Sequence, residues 1–66
     1  MKFGERLKEL RIAKGLSQMQ LSIDLHISQS AIAKWELGRT EPTASAIILI
    51  AKYFNETTDY MLGVID

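Results

Sequence analysis

No cysteine occurs in the chain, which excludes disulfides and thiolate metal sites and agrees with a reducing compartment. The single histidine, His26, cannot form a metal cluster alone, so neither a metal nor a cofactor is expected. Long apolar runs are missing too. The longest, residues 45–51, falls far short of the roughly 20 residues that cross a bilayer. The opening Met1-Lys2-Phe3-Gly4-Glu5-Arg6 has no apolar secretion-signal core, so a cytoplasmic protein without membrane contact is expected. Ser, His and Asp are present, but no nucleophile–base spacing or glycine-rich phosphate loop accompanies them. An enzyme is therefore not expected, no catalytic residue is assigned, and no small-molecule ligand is evident. With 66 residues there is room for one domain, residues 1–66, and its small core must rely on close helix packing or on a partner subunit.

Net charge is also absent, but the distribution is uneven. Residues 1–40 hold seven Lys/Arg against four acids, a balance of +3, and residues 41–66 hold one lysine against four acids, a balance of −3. Such a chain can turn a basic face toward a polyanion and a neutral or acidic face elsewhere.

No stretch alternates as a strand would, whereas helical spacing recurs from end to end. Phe3, Leu7, Leu10 and Ala13 predict a first helix that stops at Gly15. Ser17 with Gln20 forms a capping box, which starts a second helix with Leu21 and Leu25 inward. His26-Ile27-Ser28 breaks it, and Ser28 caps a third helix over residues 29–36 that Gly38 ends. Pro42 marks a loop, Thr43 caps a fourth helix reaching about Phe54, and a fifth begins near Thr57 and ends at Gly63. The expected fold is all-α, a compact five-helix bundle.

Helices two and three, joined by about three residues, must cross steeply, and such a pair can lay its second member in the major groove of DNA. Ala31, Ile32 and Trp35 form the inward face of helix three. Its outward face, Gln29, Ser30, Ala33 and Lys34, carries no acid. Gln can pair with adenine, Lys with guanine, and Ala33 can touch a thymine methyl. Arg6, Lys8 and Lys14 are read as solvated surface charges.

At these residues the chain resembles the helix-turn-helix family of lambdoid phage repressors and Cro, the XRE family. The likeness rests on Leu7-x-x-Leu10-Arg11, Gly15-Leu16-Ser17-Gln18-x-x-Leu21 and Ile27-Ser28-x-x-x-Ile32-x-x-Trp35-Glu36-x-Gly38. Pro42-Thr43, Leu49-Ile50-Ala51, Phe54-Asn55 and Asp59-Tyr60-Met61-Leu62-Gly63 complete it, so it covers residues 3–63. The resemblance implies that Gln18 bonds a DNA phosphate and braces the first base-reading residue. It implies that Ser28, Arg39 and Thr40 also meet the DNA backbone, and that Gln29, Ser30 and Lys34 meet base edges. It further implies an Arg11–Glu36 ion pair, and a core position for Trp35. Two positions depart from the family pattern. His26 stands where glycine is usual, at a point that often needs positive φ, and Ser22 stands where alanine is usual.

Ile47, Ile48, Leu49 and Ile50 point around most of helix four, more than so small a core can cover. Ile47, Ile50, Ala51 and Phe54 suit the core. Leu49, in a family position more often polar, with Ile48, Tyr53, Val64 and Ile65, is expected to form a homodimer interface. The expected function is sequence-specific binding of double-stranded operator DNA with related half-sites, as a transcriptional regulator that represses. The alternative is a protein-interaction module or antitoxin of the same fold, working through the apolar surface of helix four.

Overall fold

The computed structural model describes all 66 residues. They form five helices and no strands: α1 Phe3–Ala13, α2 Gln18–Leu25, α3 Gln29–Glu36, α4 Ala44–Tyr53 and α5 Thr58–Leu62. Four of the five starts are capped by a hydroxyl, because the first N–H groups of a helix have no partner within it. The Ser17 Oγ accepts from the Gln20 backbone N–H at 3.0 Å while the Gln20 Oε1 accepts from that of Ser17 at 2.8 Å, which completes the expected capping box. Ser28, Thr43 and Thr57 accept from Ala31, Ala46 and Tyr60 in the same way.

All five helices end alike. A residue in the left-handed region follows each one, at Gly15, His26, Gly38, Asn55 and Gly63. Its N–H, and that of the next residue, return to carbonyls of the last turn, as in Gly15 to Ile12 and Leu16 to Arg11. This Schellman arrangement satisfies orphan carbonyls, and glycine enters it without a Cβ penalty. His26 takes φ 55° and ψ 39°, the positive φ expected of it, with its N–H on Ile23 and that of Ile27 on Ser22. Ser22, buried in the same helix, turns its hydroxyl back to the Met19 carbonyl at 2.8 Å, which disposes of the polar group that alanine would not carry.

Phe3, Leu7, Leu21, Ile32, Ile50 and Met61 are fully buried, drawing all five helices onto one core. Trp35 joins them with its ring edge-to-face on Phe3, centroids 6.0 Å apart. Ala51 and Ile50 are buried as expected on α4, with Ile47 and Phe54 packed half-buried against them. The α1 stripe fades along its length: Leu10 is half-buried and Ala13 exposed.

One basic residue departs from the expected solvated role. Arg6 is buried, at 8% exposure. Its guanidinium lies 4.3 Å over the Tyr60 ring and donates to the carbonyls of Tyr60 and Ile65, with Asp66 at 3.5 Å. A planar, weakly hydrated cation suits that slot, where it ties α1 to α5 and the chain's last residues. Lys8 and Lys14 are exposed as expected, and the Lys14 Nζ lies 4.1 Å over the Tyr53 ring.

Candidate nucleic-acid interface

The turn between α2 and α3 occupies residues 26–28, and α3 packs on both α1 and α2. Ile32 and Trp35 hold its inner side in the core, so the opposite side is fixed in direction. Gln29, Ser30 and Lys34 are exposed on it and Ala33 is half-buried. Exposed Ser28 sits at the start of the helix. Its Oγ accepts from the Ala31 N–H, which leaves its O–H to donate elsewhere. Arg39 and Thr40 are exposed in the loop leaving α3.

Glu36 is the only acid on α3, and its side chain is only 4% exposed. Arg11 of α1 meets it as a fork, Nε to Oε2 at 2.7 Å and Nη2 to Oε1 at 3.0 Å, the ion pair the resemblance implied. A third bond on Arg11, from Nη1 to the Leu16 carbonyl at 2.8 Å, fixes the α1–α2 turn as well. The hydrogen bond from Arg11 to Glu36 raises the guanidinium above its already high ordinary pKa, burial opposes this, and the charge attraction adds to it. The pair thus withdraws the one negative charge of α3 from its outer face. Removing one partner strands a buried charge at a cost of about 3–5 kcal/mol.

Gln18, half-buried in the first turn of α2, donates from Nε2 to the Glu36 Oε1 at 3.1 Å. Arg11, Glu36 and Gln18 therefore form one network across three helices. Residue spacing gives no signal for the Gln18–Glu36 contact, which depends on the α2–α3 crossing. Trp35 belongs to the core and does not stack outward.

Other parts of the surface differ in character. Ile48 and Leu49 of α4 are 49% and 42% exposed, and Val64 and Ile65 of the tail are exposed as well. Tyr53 is half-buried and already engaged within the chain. Its hydroxyl donates to the Asp24 Oδ2 at 2.6 Å and its ring meets Phe54 edge-to-face. Ile12, Met19, Ile23 and Leu37 are exposed apolar side chains outside the expected surfaces. No group of three or more His, Cys, Asp or Glu lies together, and no helix is long and apolar enough to cross a membrane.

Two short helices meeting at a three-residue turn, the second with its core-facing side anchored and an acid-free side exposed, define a helix-turn-helix domain. The chain belongs to the helix-turn-helix family, whose model matches residues 7–61. It is 42% identical over 63 residues to the HTH-type transcriptional activator BcrR of Enterococcus faecalis, spanning 96% of this chain and 31% of that protein. It is 35% identical over 60 residues to the SPbeta prophage-derived uncharacterized HTH-type transcriptional regulator YonR of Bacillus subtilis strain 168, spanning 91% of this chain and 56% of that protein. The chain thus spans from just under a third to just over half of these relatives' lengths. In three dimensions it resembles the restriction-modification controller protein C.AhdI of Aeromonas hydrophila, with a TM-score of 0.80, 33% identity and 91% of each chain covered.

Proposed function

We propose that residues 1–66 act as one sequence-specific DNA-binding unit of a transcriptional regulator, with α3 in the major groove of double-stranded DNA. The observation that carries this reading is the outer face of α3, whose only acid is buried against Arg11 while Gln29, Ser30 and Lys34 stay exposed. Those three, with Ala33, meet base edges and select the sequence. Gln18, Ser28, Arg39 and Thr40 meet the backbone and supply affinity and orientation. Membership of the helix-turn-helix family and the likeness to proteins named transcriptional regulators support it.

The unit acts in the cytoplasm, where its DNA lies, as a homodimer through Ile48, Leu49, Tyr53, Val64 and Ile65, and represses by occupying a promoter. The exposure of Ile48 and Leu49 supports a partner surface on α4. BcrR is named an activator; the same DNA contacts serve either sign, which a reporter gene carrying the recovered site reads directly. The reading includes no catalysis, cofactor, metal or small-molecule ligand. The same α4 exposure favours a second reading, a protein-interaction module or antitoxin in which that surface grips a different protein.

Selection from a pool of random duplexes at two salt concentrations tests the first reading. Two related half-sites are expected in the retained fraction. Weak binding without enrichment, lost at the higher salt, transfers the weight to the interaction module. Lys34→Ala is expected to relax preference at one base pair, costing about 1–3 kcal/mol there. Gln18→Ala is expected to weaken all sequences alike. Identical profiles for the two variants overturn the division of roles.

A further inference from the structure

A carboxylate only accepts hydrogen bonds, so the Gln18 amide must turn its NH2 toward Glu36. The amide plane is then fixed, with one N–H spent on Glu36 and the second N–H and Oε1 left without a partner in the chain. Glu36 itself cannot swing away, because the Arg11 fork occupies both of its oxygens. The rigid order is therefore Arg11 on α1, Glu36 at the end of α3, Gln18 at the start of α2. A free glutamine offers a phosphate either its donor or its acceptor edge, and only the donor edge binds.

We infer that Glu36 is a positioning residue for DNA binding: it holds the Gln18 amide with its remaining N–H directed to a backbone phosphate. The inference rests on the DNA-binding reading above. It gives the ion pair a second role besides joining α1 to α3. It also places the direction of a backbone contact under the control of a buried residue that never touches DNA. Because the amide is neutral, its phosphate bond releases no counterion, and the loss of its orientation lowers affinity without changing the salt slope.

A mixed-sequence duplex at low salt is a sufficient probe, since a phosphate contact is independent of sequence. Glu36→Gln alone strands the buried Arg11 charge and endangers folding. The informative variant is the double substitution Arg11→Met with Glu36→Leu, since exchanging a buried pair for apolar residues often preserves stability. Gln18→Ala and this double substitution are each expected to weaken binding about three- to tenfold, and together no further than Gln18→Ala alone. A folded Arg11→Met, Glu36→Leu protein that binds like the unmodified chain, while Gln18→Ala still loses affinity, overturns the inference. If Gln18→Ala binds normally, the phosphate contact is absent and the inference falls while other DNA contacts stand. If the unmodified chain binds no duplex, the DNA reading itself fails. Side-chain NMR relaxation on the unmodified protein tests the fixed orientation of the amide without substitution. The Gln18 amide is expected near the rigid-backbone order parameter of about 0.85, with exposed Gln29 below about 0.6. Equal mobility in the two amides overturns the positioning role.

Discussion

Gly4 has no Cβ because the Trp35 carbonyl of α3 occupies the place where one would stand, with the Glu36 Cα 3.3 Å from the same point. The neighbour is backbone and cannot rotate aside, so Gly4→Ala must separate α1 from α3. The expected loss is about 2 kcal/mol, seen as a drop of about 10 °C in the thermal midpoint. An unchanged midpoint would show that the two helices can slide apart freely. Helix propensity alone points the other way, since alanine is the better helix former by about 1 kcal/mol. Tyr53 offers a second residue-scale test. Its hydrogen bond to Asp24 comes first in raising the phenol above its ordinary value of 10.0, with burial and the Asp24 charge adding to it. A raised folded value means that the stabilisation is present in full below the ordinary value. It is lost as pH rises through the raised one, where the phenolate can no longer donate. Tyr53→Phe is therefore expected to melt lower than the unmodified chain near neutrality, with the gap closing in strong alkali. Lys14 stays over the ring in both proteins, so its contribution cancels. A gap that persists at high pH would assign the difference to something other than this hydrogen bond.

At the scale of elements, helix starts and stops were legible because each is a local device. Ser17, Ser28, Thr43 and Thr57 cap with their own hydroxyls, and glycine marks three of the five stops. His26 was legible as a left-handed stop only through the family's usual glycine, since nothing in its neighbours requires positive φ. The outer face of α3 was legible from spacing, because the inward Ile32 and Trp35 fix the direction of the other residues of the helix. Arg6 was not. Helical period places Arg6 on the Phe3–Leu10 side of α1 and Lys8 opposite, but the Arg6 guanidinium answers carbonyls at positions 60 and 65, which no pattern on α1 announces. On the proposed reading α3 and the start of α2 perform separable tasks, so Lys34→Ala and Gln18→Ala are expected to differ in their binding profiles.

As a whole the molecule measures 28 × 23 × 19 Å, less than the roughly 34 Å of one DNA turn. On the proposed reading, half-sites one turn apart are met by two copies of these 66 residues, and Ile48 and Leu49 lie on an exposed part of α4. Sedimentation over a dilution series is expected to show a monomer–dimer equilibrium for the unmodified chain and only monomer after Ile48→Glu with Leu49→Glu. Monomer alone in the unmodified chain at tens of micromolar overturns the homodimer. In the proposed homodimer Tyr53 contributes through its ring, since its hydroxyl is already taken by Asp24.

Local residue order was enough to specify five helices, their caps, the inward residues of α2 and α3, the stop at Gly15 and the acid-free face of α3. Each follows from side chains within a few positions of one another, where hydrogen bonding and helical period leave few choices. Three contacts came from the assembled fold alone: Gly4 lies under Trp35, Arg6 is buried beneath Tyr60, and Gln18 shares Glu36 with Arg11. They join residues far apart in the chain, and their existence depends on crossing angles and separations between helices. Such quantities are set by the packing of all five helices together, and no local pattern of residues encodes them.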